Sequence, residues 1–300
     1  MSTLHTTHVP PITVLATSAD TGQQERSVGA ILVNAGRLTS AAAEEIFREQ
    51  KARNIRFGEA AIKMGLLRQD DIDFALARQF DYCYLQPGSD RLSTEIEAAF
   101  RPTSPLVEQL RSLRSQLTAR WFDGNPVHKG LAIVSAQPHE GRSYIAANLA
   151  VLFSQLGMRT LLIDADLRRP RQHNLFKLRT DVGLSNVLSG RAGWEAMTRI
   201  DGMPGLSVLG AGPQPPNPQE LLGRQRFSQL LAEAANEFDV TLVDTSATSI
   251  SGDAQMVAAR VGGAMLVARK NHTSTPALQA LALMLRETRV ATVGAVLNDF

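Results

Sequence analysis

The chain has 300 residues, 44% of them hydrophobic and 20% charged, which is enough apolar material for a buried core and a length for about two domains. Lysine and arginine number 31 against 29 aspartates and glutamates, a surplus too small for a nucleic-acid coat, so no DNA partner is expected. The single cysteine, Cys83, excludes a disulfide scaffold; with no signal-peptide pattern and no apolar run near the roughly 18 residues of a membrane span, the expected location is cytoplasmic.

Residues 1–25 are rich in Thr, Ser and Pro without periodicity and are expected to form a flexible tail. Residues 26–85 read as a small helical domain built on an internal repeat of period 29: SVGAILVNAGRLTSAAAEEIFREQ (27–50) recurs in outline as RFGEAAIKMGLLRQDDIDFALARQ (56–79). Gly29 matches Gly58, Gly36 matches Gly65 and Gln50 matches Gln79. Each unit predicts helix, turn, helix, with Gly36 and Gly65 as left-handed helix stops and Thr39 or Ser40, then Gln69 or Asp70, at the next helix start. Residues 86–105, QPGSDRLSTEIEAAFRPTSP, read as a linker.

From residue 106 to 300 the pattern is that of an α/β domain with a mostly parallel sheet. Leu106, Leu110, Leu113 and Leu117 mark one face of a first helix. Strand-length apolar runs follow at 130–136, 159–166, 205–211, 238–245, 262–269 and 291–298, with amphipathic segments around 143–156, 219–236 and 275–288. Continuous apolar strands alternating with helices predict a sheet covered on both faces.

The first of these strands runs into SAQPHEGRSYIAANLA, a turn and then a helix, where backbone N–H groups converge on phosphate. Against the P-loop pattern Ala136 stands at the first glycine, and Gly141, Arg142 and Ser143 stand at GK[ST], with arginine in place of lysine. A surface turn with a solvated arginine is the alternative. Asp164 and Asp166 end the second apolar strand and Asp244 ends another, at the sheet edge where ligands bind. A strand-end acid of this kind is suited to hold Mg²⁺ directly or through water. Arg168, Arg169 and Arg171 follow the first two acids.

These motifs resemble the cytoplasmic catalytic domain of bacterial tyrosine kinases of exopolysaccharide synthesis and export. SAQPHEGRSYIAANLA resembles their Walker A segment, LLIDADLRRPRQH their second aspartate motif, and FDVTLVDTSATSISGDA their Walker B region. Glu108, Arg111 and Arg114 reproduce the ExxRxxR helix that joins subunits in that family, which implies a homo-oligomer. The chain-length-determinant subgroup associated with exosortase export, whose members can carry arginine at the loop lysine, is the most similar. The resemblance implies a P-loop NTPase fold, ATP and Mg²⁺ as cofactors, and tyrosine phosphorylation. It implies Asp164, Asp166 and Arg142 as catalytic groups, and Ser143, Asp164 and Asp244 around the metal. Gln137, Pro138, His139, Glu140, Gly141, Arg142, Ser143, Tyr144 and Asn298 would contact nucleotide, with Asp253 as a further acid after Walker B. A membrane polysaccharide co-polymerase, or chain-length determinant, would be the partner, with attachment to the inner membrane through it. The repeat over 27–50 and 56–79 is similar to the N-terminal domain of type II secretion and pilus ATPases, where two 24-residue motifs five residues apart can bind cyclic di-GMP. That similarity implies Arg56, Gly58, Gly65 and Gln79 as ligand contacts, although Ser27 stands where a first arginine is expected. A docking module for another export component is the other reading of this domain.

Two departures matter. Partition and cell-division positioning ATPases carry an additional lysine near the start of the loop, and no lysine lies between 130 and 158. The family's usual targets are clustered C-terminal tyrosines, whereas this sequence has only Tyr82, Tyr84 and Tyr144. Clustered autophosphorylation is therefore not expected. The expected role is an ATP-dependent tyrosine-kinase-like regulator of exopolysaccharide chain length; a nucleotide switch without phosphotransfer and a positioning ATPase are the alternatives.

Overall fold

A computed structural model describes residues 27–79, 83–85 and 88–299. The tail expected over 1–25, and Tyr82, lie outside these residues. The chain divides into two units after residue 81.

In the first unit the repeat becomes two helix pairs: α1 (Val28–Asn34) with α2 (Ser40–Arg53), and α3 (Phe57–Lys63) with α4 (Gln69–Gln79). The matched glycines have matched physical reasons. Gly36 and Gly65 both adopt φ +69°, a conformation that a Cβ resists. Gly29 and Gly58 allow close packing instead: a Cβ on Gly29 would lie 3.2 Å from Phe57 Cζ, and one on Gly58 would lie 3.0 Å from Ile72 Cγ2. Thr39 caps α2 by accepting from the Ala42 N–H, and Ser27 caps α1 by accepting from Ala30. Arg56, at the position equivalent to Ser27, makes no side-chain cap. Leu32, Ile46, Ala60 and Ala75 fill the small core.

The second unit is a seven-stranded sheet: β1 (Gly130–Ser135), β2 (Thr160–Asp164), β3 (Thr198–Arg199), β4 (Leu206–Leu209), β5 (Val240–Asp244), β6 (Gly263–Arg269) and β7 (Ala291–Asn298), in the order β3-β4-β2-β5-β1-β6-β7. All neighbours pair in parallel except β3 with β4. Successive strand residues point to opposite faces. Leu131, Ile133, Leu162, Leu242 and Met265 therefore pack into one hydrophobic layer with α5 (Glu97–Phe100), α6 (Pro105–Arg120) and α7 (Arg142–Gln155). Ala132, Val134, Ile163, Val243 and Leu266 pack into the other, with later helices that include Asp253–Val261 and Thr275–Glu287. This is a P-loop NTPase domain with a mixed, mostly parallel sheet, preceded by a helical region.

Three local features differ from the sequence expectation. The segment read as a linker is part of the second unit's core: Leu92, Ile96, Ala98, Ala99 and Phe100 are buried there. The Ala98 N–H donates to Asn148 Oδ1 at 2.9 Å, and Gln155 Nε2 donates to the Ala98 carbonyl at 2.9 Å, so this strap is bonded along α7. Its Pro, Gly and Ser residues mark turns, and its one short amphipathic piece forms only a single helical turn, Glu97–Phe100. The helix expected over 219–236 is broken into Pro218–Gly223 and Gln225–Glu237 by Arg224 in an extended conformation. Strand β3, only two residues long, has no sequence signature.

Candidate active site

Strand β1 delivers the chain into a loop, 136–141, that opens α7 at Arg142. His139 at φ +62° and Gly141 at φ +93° turn the backbone toward the helix N-terminus. The fourteen residues of this helix make a positive terminus suited to phosphate. The loop is braced from below and from one side. Glu140 is fully buried; its Oε2 accepts from the Gln137 N–H at 3.0 Å, and Thr273 donates to its Oε1. Asn298, at the end of β7, donates to the Glu140 carbonyl at 3.0 Å, and His272 Nε2 lies 3.2 Å from the Pro138 carbonyl. On the opposite flank the Thr248 and Ser249 N–H groups donate to the Ser135 and Ala136 carbonyls at 3.0 Å each.

Arg142 is buried under this loop. Its Nε donates to the Thr245 carbonyl at 2.8 Å, its Nη1 to the Gln137 carbonyl at 3.0 Å and to the Ser135 hydroxyl, and its Nη2 lies 3.9 Å from Asp166 Oδ2. A planar fork with five donors can make all of these bonds at once, which a lysine cannot. The guanidinium is thus held by the protein's own acceptors, in a role sequence reading had assigned to phosphate.

Asp164 and Asp244 stand side by side, register partners at the ends of β2 and β5, and Asp166 follows two residues later; all three are buried. Both oxygens of Asp164 are occupied by backbone donors: Oδ1 by the Asp166 N–H at 3.2 Å, Oδ2 by those of Arg171 and Gln172 at 3.1 and 2.9 Å. Asp244 accepts at Oδ2 from Gln172 Nε2 at 2.8 Å, and the Ser143 side chain lies against the same carboxylate. Its Oδ1 is buried and has no hydrogen-bond partner. Burial, and then the charge of Asp244, push Asp164 well above the usual carboxylate range. Burial raises Asp244 to about 6, against the opposing pull of Arg142, Ser143 and Gln172. Two adjacent acids that resist ionisation, one with an unsatisfied oxygen, form a hard-oxygen site that a divalent cation fits. Among the described residues no group of three His, Cys, Asp or Glu side chains is placed to hold a metal ion.

The other expected residues fall in three places. Arg168 is paired to Asp253 at 2.7 Å, and Arg171 is paired to Glu95 of the strap, while the Arg169 side chain is exposed. Tyr144 is half-buried on α7, its phenol pushed up to about 12 by burial and by Glu97 and Glu95. On α6, Glu108 and Arg111 pair with each other, and Arg114 Nη1 donates to the Leu152 carbonyl of α7 at 3.1 Å, so Arg114 serves packing within the chain. In the helical unit, Arg56 and Gly58 line a cleft of about 630 Å³ with Val28, Phe57, Ile62 and Leu76; Gly65 and Gln79 are not among the residues that line it. Sequence reading missed Gln172 and the brace on Glu140. Gln172 stands inside the second aspartate segment but carries no charge that would mark it as part of a metal site, and a buried glutamate is visible only once Thr273 is folded against it.

No family model matches the chain. It is 34% identical over 200 residues to the putative tyrosine-protein kinase CapB of Staphylococcus aureus, which covers 66% of this chain and 86% of that protein. It is 35% identical over 208 residues to the tyrosine-protein kinase YwqD of Bacillus subtilis, covering 69% and 87% of the two chains. The kinase domain of Escherichia coli tyrosine kinase ETK superposes with a TM-score of 0.65 at 32% identity, over 73% of this chain and 85% of that one. A P-loop cradle, paired strand-end acids and this level of identity over nearly the full length of two tyrosine kinases agree: the chain belongs to the bacterial tyrosine-kinase family.

Proposed function

We propose that this protein binds ATP with Mg²⁺ and acts as a protein tyrosine kinase-like regulator of exopolysaccharide chain length or export. The observation that carries the reading is the in-register pair Asp164 and Asp244, with an unsatisfied oxygen on Asp244, next to Ser143 at the start of the loop helix. In this reading the loop N–H groups bind the β- and γ-phosphates, Ser143 and Asp244 hold Mg²⁺ with Asp164 behind them, and Asp166 orients the attacking hydroxyl. The cation supplies charge neutralisation on the phosphates when bound. Asp166 suits its role because it is the acid of the three nearest to Arg142, which supports charge in the same space. The motif resemblance supports the exopolysaccharide assignment, with a membrane polysaccharide co-polymerase as partner. Among the described residues no helix is long and apolar enough to cross a membrane, so membrane attachment is proposed through that partner.

A second reading, a nucleotide switch without phosphotransfer, is favoured by the confinement of Arg142 among protein acceptors. Incubation with γ-labelled ATP, Mg²⁺ and the cytoplasmic segment of the co-polymerase separates the two. Label on tyrosine, lost in Asp166→Asn, supports the kinase; tight ATP binding without transfer, unchanged by Asp166→Asn, supports the switch. For the helical unit, the resemblance to secretion and pilus ATPases remains a proposal. Arg56 beside apolar walls is compatible with cyclic di-GMP, and a titration of wild type against Arg56→Ala tests it.

A further inference from the structure

Gln172 is an uncharged residue buried as completely as the acids around it. Its backbone N–H donates to Asp164 Oδ2 at 2.9 Å, and its Nε2 donates both to Asp244 Oδ2 at 2.8 Å and to the Ser143 carbonyl at 3.1 Å. One residue therefore joins the end of β2, the end of β5 and the first turn of the loop helix. The orientation of the amide is dictated by chemistry. Flipped, its oxygen would face a carboxylate and a carbonyl, two acceptors with nothing to donate.

This clamp has a consequence for the acid it holds. With Oδ2 of Asp244 taken, Oδ1 is the oxygen left over, and it is buried without a partner; Gln172 Oε1 is likewise buried without a partner. A buried acceptor left unmade costs on the order of 1–3 kcal/mol. The Ser143 hydroxyl lies against the Asp244 carboxylate without closing a hydrogen bond on Oδ1, so these two oxygens, on a bonded pair of side chains, still call for donors. Water molecules held by a hydrated divalent cation are donors of the right kind, and groups that receive them orient the metal from outside its ligand shell.

We propose that Gln172 is a positioning residue for the divalent cation: it locks Asp244 so that Oδ1 is the open oxygen, and it offers Oε1 as a second acceptor for the cation's water shell. The inference rests on the proposed Mg²⁺–nucleotide site and adds an uncharged residue to it. The test uses the full chain, with Mn²⁺ as the probe and ADP as the nucleotide. Mn²⁺ affinity in the presence of ADP is read by electron paramagnetic resonance, and ADP affinity without metal by calorimetry. In Gln172→Met, Mn²⁺ affinity is expected to fall about tenfold while metal-free ADP affinity stays within about twofold. Unchanged Mn²⁺ affinity, or an equal loss of metal-free ADP affinity, would overturn the inference and leave Gln172 as packing. If Gln172→Met does not fold, Gln172→Asn, which keeps an amide on a shorter arm, is judged by the same two criteria. Failure of the wild type to bind Mn²⁺ with ADP would overturn the nucleotide-site reading itself, and the inference with it.

Discussion

Strands β2 and β5 end in the same residue at the same level of one sheet, yet the two aspartates have different surroundings. Asp164 is saturated by the backbone of the loop that follows it, three N–H groups on two oxygens. Asp244 receives one side-chain amide on Oδ2 and has the Ser143 side chain against it, with no hydrogen-bond partner on Oδ1. The first acid organises its own loop and the second is left open to a ligand. Identity and position in a motif do not separate these roles; the distribution of donors does.

Asparagine substitutions break this comparison with the largest effects. Asp244→Asn should abolish metal-dependent nucleotide binding and lower phosphoryl transfer about 100-fold or more, while the loop over 165–172 keeps its protection from proteolysis. Asp164→Asn should lose activity too, but its amide nitrogen must face backbone donors, so limited proteolysis should now cut within 165–172. Equal cleavage of both variants would contradict the distinction.

The loop arginine comes next. Arg142→Ala leaves the Thr245 carbonyl and the Ser135 hydroxyl without their donor and takes one of two donors from the Gln137 carbonyl, which keeps the Ser135 hydroxyl, a loss of about 3 kcal/mol that lowers the melting temperature by roughly 6–12 °C. Arg142→Lys keeps the charge with fewer bonds, and calorimetry should place it between wild type and Arg142→Ala.

Proton linkage gives a smaller effect of opposite sign. Asp164 and Asp244 both have raised folded-state pKa values, so the folded chain binds protons more readily than the unfolded chain there. The stability this contributes is full below the unfolded carboxylate value and is lost as pH rises through the folded value, about 6 for Asp244. Metal-free Asp244→Asn should therefore melt above wild type near pH 7, with a gap that narrows toward about pH 5. A gap independent of pH would contradict the burial argument. Asp253 supplies the contrast: its side chain is 1% exposed and matched by Arg168. Arg168→Ala should destabilise the chain by about 2 kcal/mol, less than a fully buried pair would lose because Arg168 is partly exposed.

Sequence alone placed most residues of the candidate site because they lie at strand ends. Apolar runs located all six longer strands, and acids at the ends of 160–164 and 240–244 had one available edge to occupy. Gly36 and Gly65 of the repeat were legible because a left-handed turn excludes a side chain, whereas the close contacts at Gly29 and Gly58 emerge only in the fold. What escaped was whatever depends on tertiary partners. Arg142 read as a phosphate ligand because the sequence does not display the three acceptors beneath the loop. The segment 86–105 read as a linker because Ile96 and Phe100 declare themselves as core only against α7. Gln172 escaped because a neutral amide gains its role from the two acids it touches.

The most direct test of the central claim is an ADP titration of wild type and Asp244→Asn, each with and without Mg²⁺. The account predicts that Mg²⁺ strengthens ADP binding to wild type about tenfold or more and has little effect on the variant, whose metal-free affinity matches wild type. Equal strengthening of both chains by Mg²⁺ would contradict it, because the open oxygen of Asp244 would then have no part in holding the cation.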